Sequence, residues 1–129
     1  MASIFTKIIK GEIPCYKIAE DEHFLAFLDI DPNSKGHTLC VPKKEVDKLF
    51  DLDRETYIRL MEFSRKVGKA IASAINCKRV GMTVIGLEVP HVHVHLIPLN
   101  NMDDATFQSK VSLTPREFVE VAKAIREQL

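Results

Sequence analysis

The stretch His91-Val92-His93-Val94-His95-Leu96-Ile97 decides how this chain is read. Its period-two alternation is that of a β-strand, in which successive side chains point to opposite faces. Three imidazoles then share one face, and Val92 and Val94 turn the other way, into a core. With a rise of ~3.3 Å per residue, neighbouring imidazoles lie ~6–7 Å apart along the strand and the outer pair ~13 Å. Packing alone does not call for three histidines on one side of a strand, whereas two chemistries do. Histidines at i and i+2 can share a zinc ion if a further ligand comes from elsewhere. Alternatively, a neutral imidazole attacks an electrophile such as phosphorus while its neighbours orient it and stabilise charge. Histidine suits that task because it titrates near neutrality.

This strand, read as Val89–Leu99, is the last of five. Tyr16–Ala19 and Phe24–Asp29 are two short extended runs with Asp21-Glu22 at a tight turn between them. Asp31–Gly36 is a loop dense in turn residues, and His37–Val41 is a third strand closed by Pro42. Gly81–Ile85 is a fourth. Ser3 caps a short helix carrying Ile4, Phe5, Ile8 and Ile9, which Gly11 ends. Asp51 or Asp53 caps a long helix to about Asn76, with Tyr57, Leu60, Met61, Ser64, Val67, Gly68, Ile71, Ala74 and Ile75 on one face. Thr114-Pro115-Arg116-Glu117 is a capping box with proline at the first helical position, ahead of the stripe Phe118, Val121, Ala122 and Ile125. Tight strand connections favour an antiparallel sheet, so the class is α+β, with one domain over residues 1–129.

Lys and Arg number 18 against 18 Asp and Glu, so the chain carries no basic surplus with which to hold a nucleic-acid polymer. Its apolar runs are far shorter than the ~20 residues a bilayer requires. No leader-like apolar stretch precedes Lys7 and Lys10. Cys15, Cys40 and Cys77 form no Cys-x-x-Cys pair and read as reduced thiols of a cytoplasmic protein, with Cys40 packing as a small hydrophobe.

The triad segment resembles the signature of the histidine triad family, His-φ-His-φ-His-φ-φ with φ apolar. Ile4–Pro14, Phe27–Pro32 and Gly36–Lys44 are similar to that family's opening and middle blocks, in the same order. The branch most resembled is the small nucleoside-phosphoramidate hydrolase type. The resemblance implies a homodimer with two sheets joined into one, and a nucleoside monophosphate site beside the triad. It implies that His93 attacks an α-phosphorus to form a nucleotidyl-histidine, that His95 contacts the phosphate and that His91 orients the central ring. The substrates it implies are phosphoramidates, adenylates or dinucleoside polyphosphates, with no cofactor. It places Asp29 on the ribose, where a carboxylate can accept from both hydroxyls. It places Phe5, Ile8, Ile13, Phe27 and Ile30 around the base. His23 and His37 are expected to be bystanders.

Two departures stand out. Before the triad the family runs through an Asn- and Gly-rich loop and then Gly-Gln-Ser/Thr-Val. Here the run is the shorter Thr83-Val84-Ile85-Gly86-Leu87-Glu88-Val89-Pro90. Leu87 and Glu88 replace polar donors, leaving the backbone around Gly86 to donate to phosphate. Glu88 is expected to face outward; inside the site it would repel phosphate or take a cationic leaving group. The second departure concerns zinc, which some family members bind through Cys-x-x-Cys, a histidine after Pro-Lys-Lys and a triad histidine. This chain has Ser3, Thr6 and Glu45 at those places, so no metal is expected. A nucleotide-binding module with little turnover is the alternative to an enzyme.

Overall fold

The computed structural model describes residues 2–129. Helix α1, Ile4–Ile9, is capped by Ser3, whose side chain accepts from the Thr6 amide. Strands β1 (Lys17–Glu20), β2 (Phe24–Leu28) and β3 (Thr38–Pro42) follow, then α2 (Arg54–Ala74), β4 (Arg79–Thr83), β5 (Val94–Leu99) and α3 (Pro115–Arg126). The order in the sheet is β1-β2-β3-β5-β4, and every pairing is antiparallel. Asp21 makes the first turn tight by accepting from the amides of His23 and Phe24. Asp53 caps α2, and Thr114 with Glu117 forms the capping box of α3; each such cap contributes about 1 kcal/mol.

Both faces of the sheet are covered. On one side α2 and α3 pack Leu60, Val67, Ile71, Val121 and Ile125 against Phe24, Ala26, Leu28, Cys40, Val92, Val94 and Leu96. On the other, α1 sets Phe5 on Leu25, Phe27, Leu39 and Val41. Burial on both sides explains why β2 and β3 read as unbroken apolar runs rather than alternating ones. Each fully buried aliphatic or aromatic side chain contributes roughly 1.5–3 kcal/mol. Cys40 is fully buried, as its apolar neighbours suggest, and burial pushes its thiol up to about 12.

The last two strands differ from their sequence reading. β5 begins at Val94, not Val89. Pro90 has no N–H, and the amides of His91 and Val92 turn to the carbonyls of Val89 and Val46 instead of a neighbouring strand. β4 lies two residues earlier than expected because its register sets Arg79 opposite Leu99 and Thr83 opposite His95. Val84 and Ile85 therefore leave the sheet. His91, in a bend, and His93 precede the ladder, yet the alternation survives: Val92 and Val94 enter the core under α2 and α3, while the rings of His91 and His93 meet Phe5 of α1 on the other side. Two single-turn 3₁₀ helices, Leu49–Asp51 and Met102–Ala105, are too short to carry a periodic signal. Tyr57, counted with the apolar face of α2, is exposed.

Candidate active site

A cavity of about 610 Å³ opens between α1, the triad, the loop before it and the segment after β5. Its apolar end is formed by Ile4, Phe5 and Leu39, with Asp29, His93 and His95 beyond. Phe5 meets His91 and His93 edge-on, at ring-centroid distances of 5.8 and 4.9 Å. The His93 and His95 rings lean together to 4.9 Å, closer than the strand rise alone would set them.

Hydrogen-bond partners fix the proton on each ring, since a carbonyl only accepts and an amide only donates. His91 Nε2 lies 2.8 Å from the Pro42 carbonyl, so it carries the proton there. His91 Nδ1 is left to accept from the Ser3 hydroxyl at 2.7 Å. His93 Nδ1 lies 2.7 Å from the His91 carbonyl and must be protonated. Its Nε2 has no partner among the described residues, so in the neutral ring the lone pair lies there. The Asn33 amide donates to His37 Nδ1 at 2.9 Å, which puts the His37 proton on Nε2. That proton points at His95 Nδ1, 2.9 Å away. Neutral His95 therefore carries its own proton on Nε2. One neighbour presents a lone pair and the next presents a proton.

His37 is thus no bystander. It is wholly buried beneath the triad and sets the tautomer of His95. Gly36 makes this possible: it turns the chain at φ +98, and a Cβ there would stand 3.0 Å from the Ile75 side chain. Burial keeps these rings neutral. His37 is held down to about 3, by burial first and then by the neighbouring His95 and Lys110. His95 is held down to about 4 by burial, His93 and Lys110. Burial also lowers His91, against the opposing pull of the Pro42 carbonyl.

The other expected residues divide. Asp29 lines the cavity, and burial raises its carboxyl while the Asp31 amide and Lys110 pull the other way. Phe5, Gly86 and Glu88 line it too, with Glu88 exposed at the mouth. Phe27 and Ile8 stand behind Phe5 in the second core, away from the opening. Ile13 is half-buried outside it, and Ile30 projects into solvent at 74% exposure. His91 holds its neighbours from below.

Thr106, Phe107 and Lys110 line the far end and carry no sequence signal. Phe107 adopts φ +64, a strained conformation for an aromatic residue, and sets its ring 4.9 Å from His95. Lys110 lies 5.0 Å over that ring and donates to the Asp31 carbonyl and Asn33 Oδ1.

Two groups of side chains bear on metal binding. Asp29, His37 and His95 bring one donor atom each within 4.8 Å of one another. An ion there would have to displace the proton that joins His37 to His95. Ser3, Thr6 and Glu45, which the family resemblance puts at zinc-ligand places, also converge with His91. They converge as a closed set of hydrogen bonds between hydroxyls, a carboxylate and an imidazole. Zinc asks for thiolate, imidazole or carboxylate ligands, and two hydroxyls do not supply them.

Fold and site together define a protein in which three alternating histidines lie at the start of the last strand of an antiparallel sheet, two of them, His93 and His95, lining one cavity and His91 buried beneath. The chain belongs to the HIT domain family, whose pattern matches residues 10–102. It is 43% identical over 102 residues to the adenosine 5′-monophosphoramidase hnt1 of Schizosaccharomyces pombe, covering 78% of this chain and 77% of that protein. A HIT-like protein of Bartonella henselae has the same fold, with a TM-score of 0.86 at 32% identity over 98% of this chain and 96% of that one. A zinc-bound histidine triad family protein of Mycobacterium smegmatis follows at 0.83 and 28% identity, covering 99% and 93%.

Proposed function

We propose that this protein is a nucleotide hydrolase or nucleotidyl transferase acting on the α-phosphate of nucleoside phosphoramidates, adenylates or dinucleoside polyphosphates. The observation that carries this reading is the bonding of two adjacent rings: the His91 carbonyl on His93 Nδ1 leaves the lone pair of a neutral ring on Nε2, and His37 Nε2 on His95 Nδ1 leaves the His95 proton on Nε2. In the first step the His93 pair forms a bond to the α-phosphorus. The bond to the leaving group breaks, and that group departs with the bonding pair and takes up a proton from water in the open cavity. The ring becomes cationic, and the His91 carbonyl on Nδ1 stabilises it. Water then attacks phosphorus, the N–P pair returns to Nε2, the attacking water gives a proton to solvent, and monophosphate leaves. His95 Nε2–H donates to a phosphoryl oxygen throughout. Ile4, Phe5 and Leu39 offer the apolar slot for a base, and Asp29 the acceptor for ribose hydroxyls. Likeness to the fission-yeast monophosphoramidase supports the same chemistry.

The working unit in this reading is a homodimer of the single domain. The edge strand β4, with Met82 half exposed, is where a second sheet would join. The free thiols of Cys15, Cys40 and Cys77 suit a reducing cytoplasm. No helix among the described residues is long and apolar enough to cross a membrane.

A binding module with little turnover is the second reading, favoured by a loop before the triad that brings no side-chain donor to the phosphate. Release of AMP from adenosine 5′-phosphoramidate, by wild type and His93→Ala, decides between the two. Release by wild type that vanishes in the variant supports the enzyme. No release from either, with AMP still binding in a calorimeter, supports the module.

A further inference from the structure

Behind the triad, on the side away from the cavity mouth, a second set of hydrogen bonds joins α1 to β3's exit and to His91. The Glu45 carboxylate accepts from the Ser3 amide at 2.7 Å and from the Thr6 hydroxyl at 2.6 Å, both on one Oε1. The Thr6 amide donates to Ser3 Oγ at 3.0 Å. The Ser3 hydroxyl proton is then free for His91 Nδ1, 2.7 Å away. Thr6 Oγ1, 3.3 Å from the same hydroxyl, is the longer alternative for that proton, and the chain of bonds continues. His91 Nε2–H holds the Pro42 carbonyl, and the His91 carbonyl holds Nδ1–H of His93. An exposed carboxylate is therefore joined, through two hydroxyl residues and one buried imidazole, to the ring proposed as nucleophile.

Helix α1 needs such a fastening. It has six residues, too few to be stable alone. Phe5 is its one buried apolar residue, and the same side chain is the wall of the cavity against His91 and His93. Ser3 is both the cap of the helix and the partner of the triad, and it is itself buried.

We infer that Glu45 is a positioning residue: acting through Ser3 and Thr6, it fastens the first turn of α1 onto His91 and thereby holds the Phe5 wall and the orientation of His93. Its consequence for turnover rests on the reading of His93 as nucleophile; its consequence for the helix and for nucleotide binding does not. The two readings can therefore fail separately.

Glu45→Ala and Glu45→Gln in the full chain test it, because the amide oxygen of glutamine can still accept both bonds. Three quantities are compared: hydrogen exchange of the α1 amides, the dissociation constant of AMP, and kcat and KM for adenosine 5′-phosphoramidate. In Glu45→Ala the α1 amides should exchange about tenfold faster and AMP should bind about tenfold more weakly, with kcat lowered as well. Glu45→Gln should recover most of each. An alanine variant with wild-type exchange and wild-type AMP affinity would overturn the inference, because Phe5 packing would then hold the helix unaided. A glutamine variant as impaired as alanine would also overturn it, since charge rather than these bonds would be at work. Imidazole nitrogen shifts of His91 supply a further check: a lost Ser3 bond moves Nδ1, and unchanged shifts in Glu45→Ala count against the inference.

Discussion

The floor of the cavity and its rim are built to different standards. On the floor, His37, His91, His93 and His95 are buried; backbone groups set the tautomers of the first three, and His37 sets that of His95. The rim, Val84–Pro90, makes no side-chain hydrogen bond among the described residues. Leu87 is 90% exposed there, and Gly86 turns at φ +76 with open space around it. A buried polar network tolerates no half-measures, because each lost partner leaves an unsatisfied group in a low dielectric. A solvated loop can change composition at little cost to the fold. The arrangement of the rings is therefore fixed from below, while the lining of the cavity mouth is open to change from above.

The sharpest way to break this contrast is His37→Ala. The substitution leaves His95 Nδ1 and the Asn33 amide without partners in a buried place, at a stability cost of about 1–3 kcal/mol. It also frees His95 to hold its proton on Nδ1, where it cannot reach the phosphate. We expect kcat for phosphoramidate to fall about a hundredfold, with AMP affinity far less affected. A variant with wild-type kcat would show that the floor does not depend on this bond.

That residue also marks the limit of what the sequence discloses. The alternation of His91, His93 and His95 is local, and so is the capping of all three helices; each is legible without knowing the fold. Asp29 and Phe5 reach the cavity as the family resemblance implies. His37 lies 58 positions from His95, and only the pairing of β3 with β5 brings them together. Phe107 and Lys110 were equally hidden. Their segment is placed by bonds from Lys110 and the Val111 amide to the Asp31–Asn33 turn, contacts that no periodicity announces. Apolar residues continue beyond the ladder at Val84 and Ile85 and before it at Val89 and Val92, so the pattern overruns both strands.

A second test uses acid. Unfolded, His37 and His95 titrate near the ordinary 6.5; folded, they are held down to about 3 and about 4. Between these limits the unfolded chain binds protons that the native chain refuses, so this stability is present above pH 6.5 and lost as pH falls through about 4 for His95 and about 3 for His37. Unfolding should take up close to two protons near pH 5 from this pair, seen as a fall in the urea midpoint with decreasing pH. His37→Ala should remove about one proton from that slope. A slope unchanged in the variant would place the acid sensitivity elsewhere than in the floor.

The mildest expected effect lies on the rim, and it sharpens the comparison rather than breaking it. Glu88 is exposed at the cavity mouth, where its charge opposes an incoming phosphate through water rather than through protein. Such a repulsion is real but weak, and salt screens it. Glu88→Ser should therefore raise kcat/KM for adenosine 5′-phosphoramidate about two- to threefold at low ionic strength, leaving the thermal midpoint unchanged. The gain should shrink toward nothing near 1 M salt, where the screening length is ~3 Å. A large gain that persists in high salt would put the carboxylate against the phosphate itself. A loss of turnover would instead assign Glu88 to a cationic or amine leaving group, making the rim a recognition element.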